Sequence, residues 1–226
     1  MSNESIQKVY RFVSWSIIFA LILPAFCLVI PELFRFGEIN WELVGYVWDH
    51  FGTYRYAFPI FLFLYLFLLL LTRKLWVPTL LMPLISSLIG IANYDLLRQR
   101  GTPLVPEDFS GIFRAIYALR HGYTVSKPQG IWTVMIVVAV LWFITLFTNV
   151  KKDQVRTWIK VISVVLAIAT MVGCFFYFTT VLSNNDLLLQ LGREEVVDIR
   201  KAYEANGFYP ELFTQMAKPL IISSIV

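Results

Sequence analysis

Five uncharged apolar segments constrain this chain more than any other feature. They cover approximately residues 12–30, 56–72, 75–94, 131–148 and 161–182. A helix of roughly 17–25 apolar residues can cross the hydrocarbon core of a bilayer. Charged residues make up only 15% of the 226-residue chain and hydrophobic residues 58%, which excludes an ordinary soluble enzyme and a disordered chain. We therefore predict an all-α integral membrane protein whose five transmembrane helices form one domain, residues 1–182.

Lysine and arginine are concentrated on one side of the predicted spans. The amino terminus and the second and fourth connections hold eight basic and two acidic residues, a net charge of +6. The remaining segments hold eleven basic and thirteen acidic residues, a net charge of −2. Because short cytoplasmic loops are enriched in Lys and Arg, we predict a cytoplasmic amino terminus and an extracellular carboxyl terminus. This topology explains the basic excess, so the charge does not indicate a nucleic-acid partner.

Two amphipathic helices are predicted outside the spans. In the second outer loop, a helix over about residues 107–121 repeats apolar residues at helical spacing from Phe109. After the last span, residues 193–206 repeat Val196, Ile199 and Tyr203 at similar spacing, and Gly207 is a typical helix stop. Both helices are expected to lie along the outer membrane interface. Residues 183–226 are accordingly predicted to form an extracellular juxtamembrane linker helix and tail.

The sequence carries no motif that indicates catalysis. His50 and His121 lie in separate loops without a second ligand at metal-binding spacing, and the chain has no nucleophile elbow or phosphate-binding glycine loop. We assign no catalytic residue, metal site or cofactor to this chain. A small permease is a weaker interpretation, because the spans contain no ionisable residue of the kind that marks transport pathways.

Arginines on the predicted outer surface form the candidate binding site. Arg98, Arg100 and Arg114 lie in the loop after the third span and in the helix that follows. Guanidinium groups bind phosphate through two parallel hydrogen bonds, so these three residues are candidate contacts for a lipid headgroup. The alternative is that Arg98 and Arg100 extend along the interface and pair with nearby carboxylates, of which the candidates are Asp95, Glu107 and Asp108.

The same loop resembles a known family. Asn93 and Tyr94, near the end of the third span, are followed by Arg100-Gly101-Thr102-Pro103-Leu104 and by Pro106-Glu107-Asp108-Phe109. This pattern is similar to the segment after the third transmembrane helix of lipoteichoic acid synthases. In that family an Asn near the span end precedes a basic stretch, a Gly-x-Pro-Leu sequence and an Asp that heads a short helix. The stretch from Tyr203 to Phe208 resembles the post-membrane linker of the same family.

The resemblance implies a role in lipid-dependent polymer synthesis. Members of the family transfer glycerol phosphate from phosphatidylglycerol to a glycolipid-anchored chain. They use a threonine nucleophile and a divalent metal, usually manganese, in an extracellular sulfatase-like domain. No residue of this chain matches that nucleophile or those metal ligands. We therefore expect a membrane domain only, a truncated or split member of the family that is inactive by itself.

Two functional hypotheses follow. In the first, the chain is a multi-pass protein of the bacterial cell membrane that presents an anionic lipid such as phosphatidylglycerol to a separately encoded sulfatase-like domain, in cell wall biogenesis. In the second, it is a stand-alone membrane protein with a binding or regulatory role. The sequence leaves both open.

Overall fold

The computed structural model describes residues 3–111, 126–146, 157–180 and 199–222, and within these ranges the chain is helical without β-strands. The first four helices are α1 Asn3–Phe36, α2 Trp41–Asp49, α3 Phe51–Thr72 and α4 Trp76–Arg100. A 3-10 helix over Pro106–Gly111 is followed by α5 Ile131–Leu146, α6 Thr157–Thr180, α7 Ile199–Asn206 and α8 Phe208–Ile222. The predicted all-α fold is confirmed for the described residues.

Three helical segments are long and apolar enough to cross a membrane. They are Tyr10–Phe36 within α1, Phe51–Thr72 and Trp76–Arg100. The apolar segments Ile131–Leu146 and Val161–Tyr177 are shorter. Large apolar side chains also cover the outside of the bundle, among them Leu21, Leu88, Ile136, Val165 and Phe175. Such an exterior is typical of a protein surrounded by lipid. The chain is thus a helical membrane protein, while the count of five spans stays a prediction.

Helix α1 lies at the centre of the bundle, between α3 and α4. Helix α5 packs on the other side of α4, and α6 packs on α3. The contact between α1 and α4 is close because Gly90 has no side chain. A Cβ atom added there would lie 2.9 Å from Cδ2 of Phe34 and 3.3 Å from Cα of Pro31. One turn earlier, the hydroxyl of Ser86 donates to the carbonyl of Cys27 over 2.7 Å. Small residues at this spacing allow two membrane helices to approach each other.

The long helices alternate in direction, so each end of the bundle has its own set of side chains. At one end, Arg73 terminates α3 with a left-handed backbone (φ 55°), and its Nε donates to Oγ of Ser163 in α6 over 2.8 Å. At the other end, the last turns of α1 and α4 lie beside the first turn of α3, where Tyr54 donates to Glu32. We call this second end the cavity end. Helix α4 ends at Arg100, and Gly101 follows with a left-handed backbone (φ 72°).

The carboxyl-terminal helix α8 packs into the bundle rather than beside it. Tyr209 is completely buried, and its hydroxyl lies 2.7 Å from Oγ of Ser86. Its ring packs against Phe61 of α3 and Phe213 of α8, with centroids 4.8 and 5.5 Å away. The sequence predicts an extracellular juxtamembrane linker helix and tail over residues 183–226. Within the described part of that segment, the side chains of α8 that contact α1 and α3 belong to the hydrophobic core.

The two predicted amphipathic helices are described only in part. The first begins as a 3-10 helix over Pro106–Gly111, and residues 112–121 lie outside the described residues. The second is present as α7 from Ile199, while residues 193–198 also lie outside them. Gly207 terminates α7 with φ 81° and donates its N–H to the carbonyl of Tyr203 over 3.0 Å, which confirms the predicted stop.

Candidate functional site

A polar cavity of about 350 Å³ lies at the cavity end of the bundle. It is lined by the last turns of α1 and α4, by the loop after α4, and by α7 and the start of α8. Its charged residues are three arginines and two glutamates, which give the lining a net charge of +1. They are Arg35, Arg98, Arg200, Glu32 and Glu204. A site with this composition favours an anion that also carries hydrogen-bonding groups.

Glu32 is buried in the wall of this cavity. Only 2% of its surface is exposed. Its Oε1 accepts one hydrogen bond from the hydroxyl of Tyr54 over 3.0 Å and another from the backbone N–H of Phe208 over 2.9 Å. These bonds connect α1, α3 and α8 through a single oxygen atom. The second oxygen, Oε2, has no hydrogen bond to any described residue, although buried polar atoms almost always have one.

Asn93 presents a second buried polar group in the same wall. The side chain is 5% exposed, and its Oδ1 accepts from the backbone N–H of Leu104 over 2.9 Å. This bond folds the loop after α4 back over the end of that helix. The amide nitrogen Nδ2 makes no hydrogen bond within the described ranges. Within the described ranges, the wall therefore contains two buried polar atoms without a hydrogen bond, Oε2 of Glu32 and Nδ2 of Asn93.

The three arginines enter the cavity from three helices. Nη2 of Arg35 lies 3.8 Å from Oε1 of Glu204, and its guanidinium lies over the rings of Phe36 and Tyr46, 5.7 and 5.5 Å from their centroids. Nε of Arg200 donates to the same Glu204 oxygen over 3.1 Å. Arg98 is exposed and has no hydrogen bond or ion pair with any described residue. Its charge is accordingly available to a ligand.

Helix α7 closes one side of the cavity because its backbone is tied to α2 and α3. The hydroxyl of Thr53 donates to the carbonyl of Asn206 over 2.8 Å, and Nε2 of His50 lies 3.1 Å from the carbonyl of Glu204. The hydroxyl of Tyr203 donates to the carbonyl of Leu104 over 2.6 Å, which connects α7 to the loop after α4. These bonds hold the α7 side chains against the ends of α1 and α4.

Gly207 is required at the turn between α7 and α8. Besides its positive φ, an added Cβ would lie 2.9 Å from the hydroxyl oxygen of Tyr54. A side chain here would displace the hydroxyl that donates to Glu32. The turn thus brings the N–H of Phe208 within hydrogen-bonding distance of the buried carboxylate.

The structure separates the three arginines predicted from the sequence. Arg98 lines the cavity. Arg100 is turned toward the loop, where Nη1 donates to Oδ1 of Asp108 over 2.9 Å and Nη2 donates to the carbonyl of Pro103 over 3.2 Å. The alternative interpretation, in which Arg100 pairs with a nearby carboxylate, is therefore the one that the structure favours. Arg114 lies outside the described residues. Headgroup contact by either Arg100 or Arg114 stays a prediction.

The Arg100–Asp108 pair makes the stability of this loop depend on pH. Partial burial raises the pKa of Asp108, but hydrogen bonds from Arg100 and from the N–H of Val105 outweigh this effect and hold the pKa below its usual value. A carboxyl group with a lowered pKa in the folded protein stabilises the fold above its unfolded pKa of about 3.9. That contribution is lost as the pH falls through the folded pKa.

We expect Asp108→Asn to lower the melting temperature near pH 7 and to have a smaller effect near pH 2. The change in free energy of unfolding should stay below about 1 kcal/mol, because the ion pair is partly exposed to solvent. Thermal unfolding of both proteins in the same detergent, across this pH range, measures the difference. A difference that persists at the same size near pH 2 would contradict the role of the carboxylate charge.

Sequence reasoning did not identify the remaining residues of the cavity as site residues. The predicted first span ends at residue 30, so Glu32 falls outside it in the sequence prediction. A signal was present, since Glu32 is a lone acid between the apolar residues Ile30, Leu33 and Phe34. Arg35 follows at helical spacing on the same face as Glu32. Arg200 lies in the predicted helix over residues 193–206 and has no comparable signal.

The described residues include no group of three or more His, Cys, Asp or Glu side chains that could hold a metal ion. The cavity offers guanidinium groups, an amide and a carboxylate that can contact a ligand. Comparison of the chain with models of known protein families, with curated proteins and with solved structures finds no match.

Proposed function

We propose that this membrane protein binds the phosphate of an anionic lipid headgroup in the cavity at the end of its helical bundle. The observation that carries the proposal is the convergence of three guanidinium groups on one cavity, with Arg98 unpaired among the described residues. Arginine is suited to this role because its planar group matches two phosphate oxygens at once. A cavity at the end of apolar helices is also at the depth where lipid headgroups lie.

We further propose what the bound lipid is used for. The segment that resembles lipoteichoic acid synthases, Asn93 to Asp108, builds one wall of the cavity through the bonds of Asn93 to Leu104 and of Arg100 to Asp108. We propose that the cavity belongs to a five-span bundle and lies on the outer face of a bacterial membrane. There the bound lipid, phosphatidylglycerol in our proposal, is presented to a separate phosphoglycerol-transferring domain.

Replacing Arg98 with glutamine tests phosphate binding. Loss of one exposed charge-assisted contact corresponds to about 1 kcal/mol, so the apparent Kd for phosphatidylglycerol should rise roughly fivefold. Native mass spectrometry of the purified chain, titrated with phosphatidylglycerol or phosphatidylcholine, measures both affinities. The preference for the anionic lipid should decrease in the variant.

Arg55→Gln is the matched control. Arg55 is an exposed arginine near the start of α3, at the same end of the bundle, but it is not part of the cavity lining and donates to the hydroxyl of Tyr56. This variant removes the same charge and should leave the lipid preference unchanged. Equal effects of the two substitutions, or no effect of either, would rule out phosphate binding in the cavity.

A further inference from the structure

Helix α2 presents two tryptophans on its outer face that the described residues leave almost fully exposed. Trp41 is 88% exposed and Trp48 is 80% exposed, and Val44 lies between them on the same side of the helix. Leu43, on the opposite side, is buried. The helix is thus apolar on two sides, and packing within the bundle explains only the inner one. A contiguous exposed apolar face of this kind marks a contact with a protein or with a membrane.

The position of α2 favours the membrane, because the helix lies where two candidate spans end. It follows the segment Tyr10–Phe36 after a short connection, and the segment Phe51–Thr72 begins directly after it. Its buried Leu43 belongs to the same apolar cluster as Leu33 and Phe34, near the end of α1. Phe51, the first residue of α3, is itself 70% exposed. The apolar exterior of the bundle therefore extends from α3 onto α2, at the depth where a span meets the membrane surface.

The side chains of α2 match the boundary between lipid and water. Tryptophan combines a large apolar ring system with a polar N–H, and it is enriched where one part of the side chain is in lipid and another is in water. Glu42 and Asp49 are also exposed, and each follows a tryptophan in the sequence, so it lies about 100° around the helix from that tryptophan. Carboxylates are costly in the hydrocarbon core, whereas an apolar face beside charged groups is typical of a helix in the interface plane.

We propose that the outer face of α2, formed by Trp41, Val44 and Trp48, is a membrane-binding surface that lies in the lipid–water interface at the cavity end of the bundle. Its partner is the bilayer surface itself, so the inference does not depend on phosphate binding in the cavity. The inner side of the same helix contacts the cavity wall, because the hydroxyl of Tyr46 donates to the carbonyl of Tyr203 in α7 over 3.4 Å. Helix α2 thereby connects the membrane surface to α7.

Spin labels on α2 test where its outer face lies. Trp48→Cys and the matched control Glu42→Cys are each made in the full chain with the native Cys27 and Cys174 replaced by alanine. In lipid nanodiscs, power-saturation spectroscopy measures collisions of the label with oxygen, which concentrates in lipid, and with a nickel chelate, which stays in water. We expect oxygen collisions to dominate at residue 48 and nickel collisions at residue 42. Equal nickel collisions at both positions would place the face in water, and few collisions of either kind at residue 48 would place another protein surface against it; either result would overturn the inference.

Tryptophan fluorescence provides a second test that keeps the face aromatic. The double variant Trp41→Phe, Trp48→Phe retains two apolar rings, so the emission that it loses relative to the wild type is that of these two tryptophans. We expect phosphatidylcholine brominated near the headgroup end of its acyl chains to quench this emission more strongly than acrylamide in the water does. Equal quenching, or the reverse order, would overturn the inference. Phosphatidylcholine is not the anionic lipid of the proposed function, so a failure here leaves phosphate binding in the cavity to its own test.

Discussion

Gly90→Leu is expected to destabilise the bundle more than any other single substitution on the α1–α4 contact. The Cβ atom alone would approach the ring of Phe34 to 2.9 Å and the backbone of Pro31 to 3.3 Å, and leucine adds three more carbon atoms. Forcing a large side chain into a packed contact costs about 3 kcal/mol, so the melting temperature should fall by roughly 5–10 °C. Thermal unfolding in detergent, followed by circular dichroism, measures the shift.

Gly45→Ala provides the control for Gly90→Leu. Gly45 lies in α2, and a Cβ atom added there meets nothing within 4 Å. Alanine in an exposed helix is more favourable than glycine by about 1 kcal/mol, so this variant should be as stable as the wild type or slightly more so. A Gly90→Leu protein that unfolds at the wild-type temperature would mean that α1 and α4 do not pack as closely as the structure describes.

Tyr209→Ala is expected to release α8 from the bundle. Tyr209 is completely buried between Phe61 and Phe213, and its hydroxyl lies 2.7 Å from Oγ of Ser86. Removing a buried aromatic ring costs about 3–5 kcal/mol. The same variant should weaken phosphatidylglycerol binding, because Phe208 at the start of α8 forms part of the cavity wall. Melting temperature and lipid affinity are the two measurements.

Tyr209→Phe isolates the contribution of the ring from that of the hydroxyl. Oγ of Ser86 retains its bond to the carbonyl of Cys27, so the loss should be only about 1 kcal/mol. If Tyr209→Ala were as stable as Tyr209→Phe, α8 would be peripheral to the bundle. That result would favour the linker and tail that the sequence suggested for residues 183–226.

The position of α8 shows why composition alone did not predict where this helix packs. Phe208 to Ile222 is too short to span a bilayer, and a short apolar segment after the last predicted span is typical of an interfacial helix. Its partners Phe61 and Ser86 precede it by more than 120 residues in the chain. Periodicity within a window of the sequence describes one helix face and contains no information about a partner that distant.

The prediction of the candidate site was incomplete for the same reason. Arg98 was identified because a basic residue at a span end is visible locally. Arg100 and Asp108 are partners only eight residues apart, so their pairing was among the alternatives that the sequence offered. Glu32 was missed because its burial depends on Tyr54 and on Phe208, which is 176 residues away. An acid near a proline is read as a loop residue unless those partners are known.

The sequence by itself indicated the all-α class, the long apolar helices and the helix end at Gly207. The apolar segments and the stop at Gly207 act through bonds and spacings of a few residues, so a single sequence reveals them. Only the tertiary structure decided that Glu32, Asn93 and Arg98 line one cavity and that α8 fills part of the core. Those arrangements arise from contacts between helices far apart in the chain, where a buried oxygen or amide is satisfied by whichever group the packing brings within 3 Å.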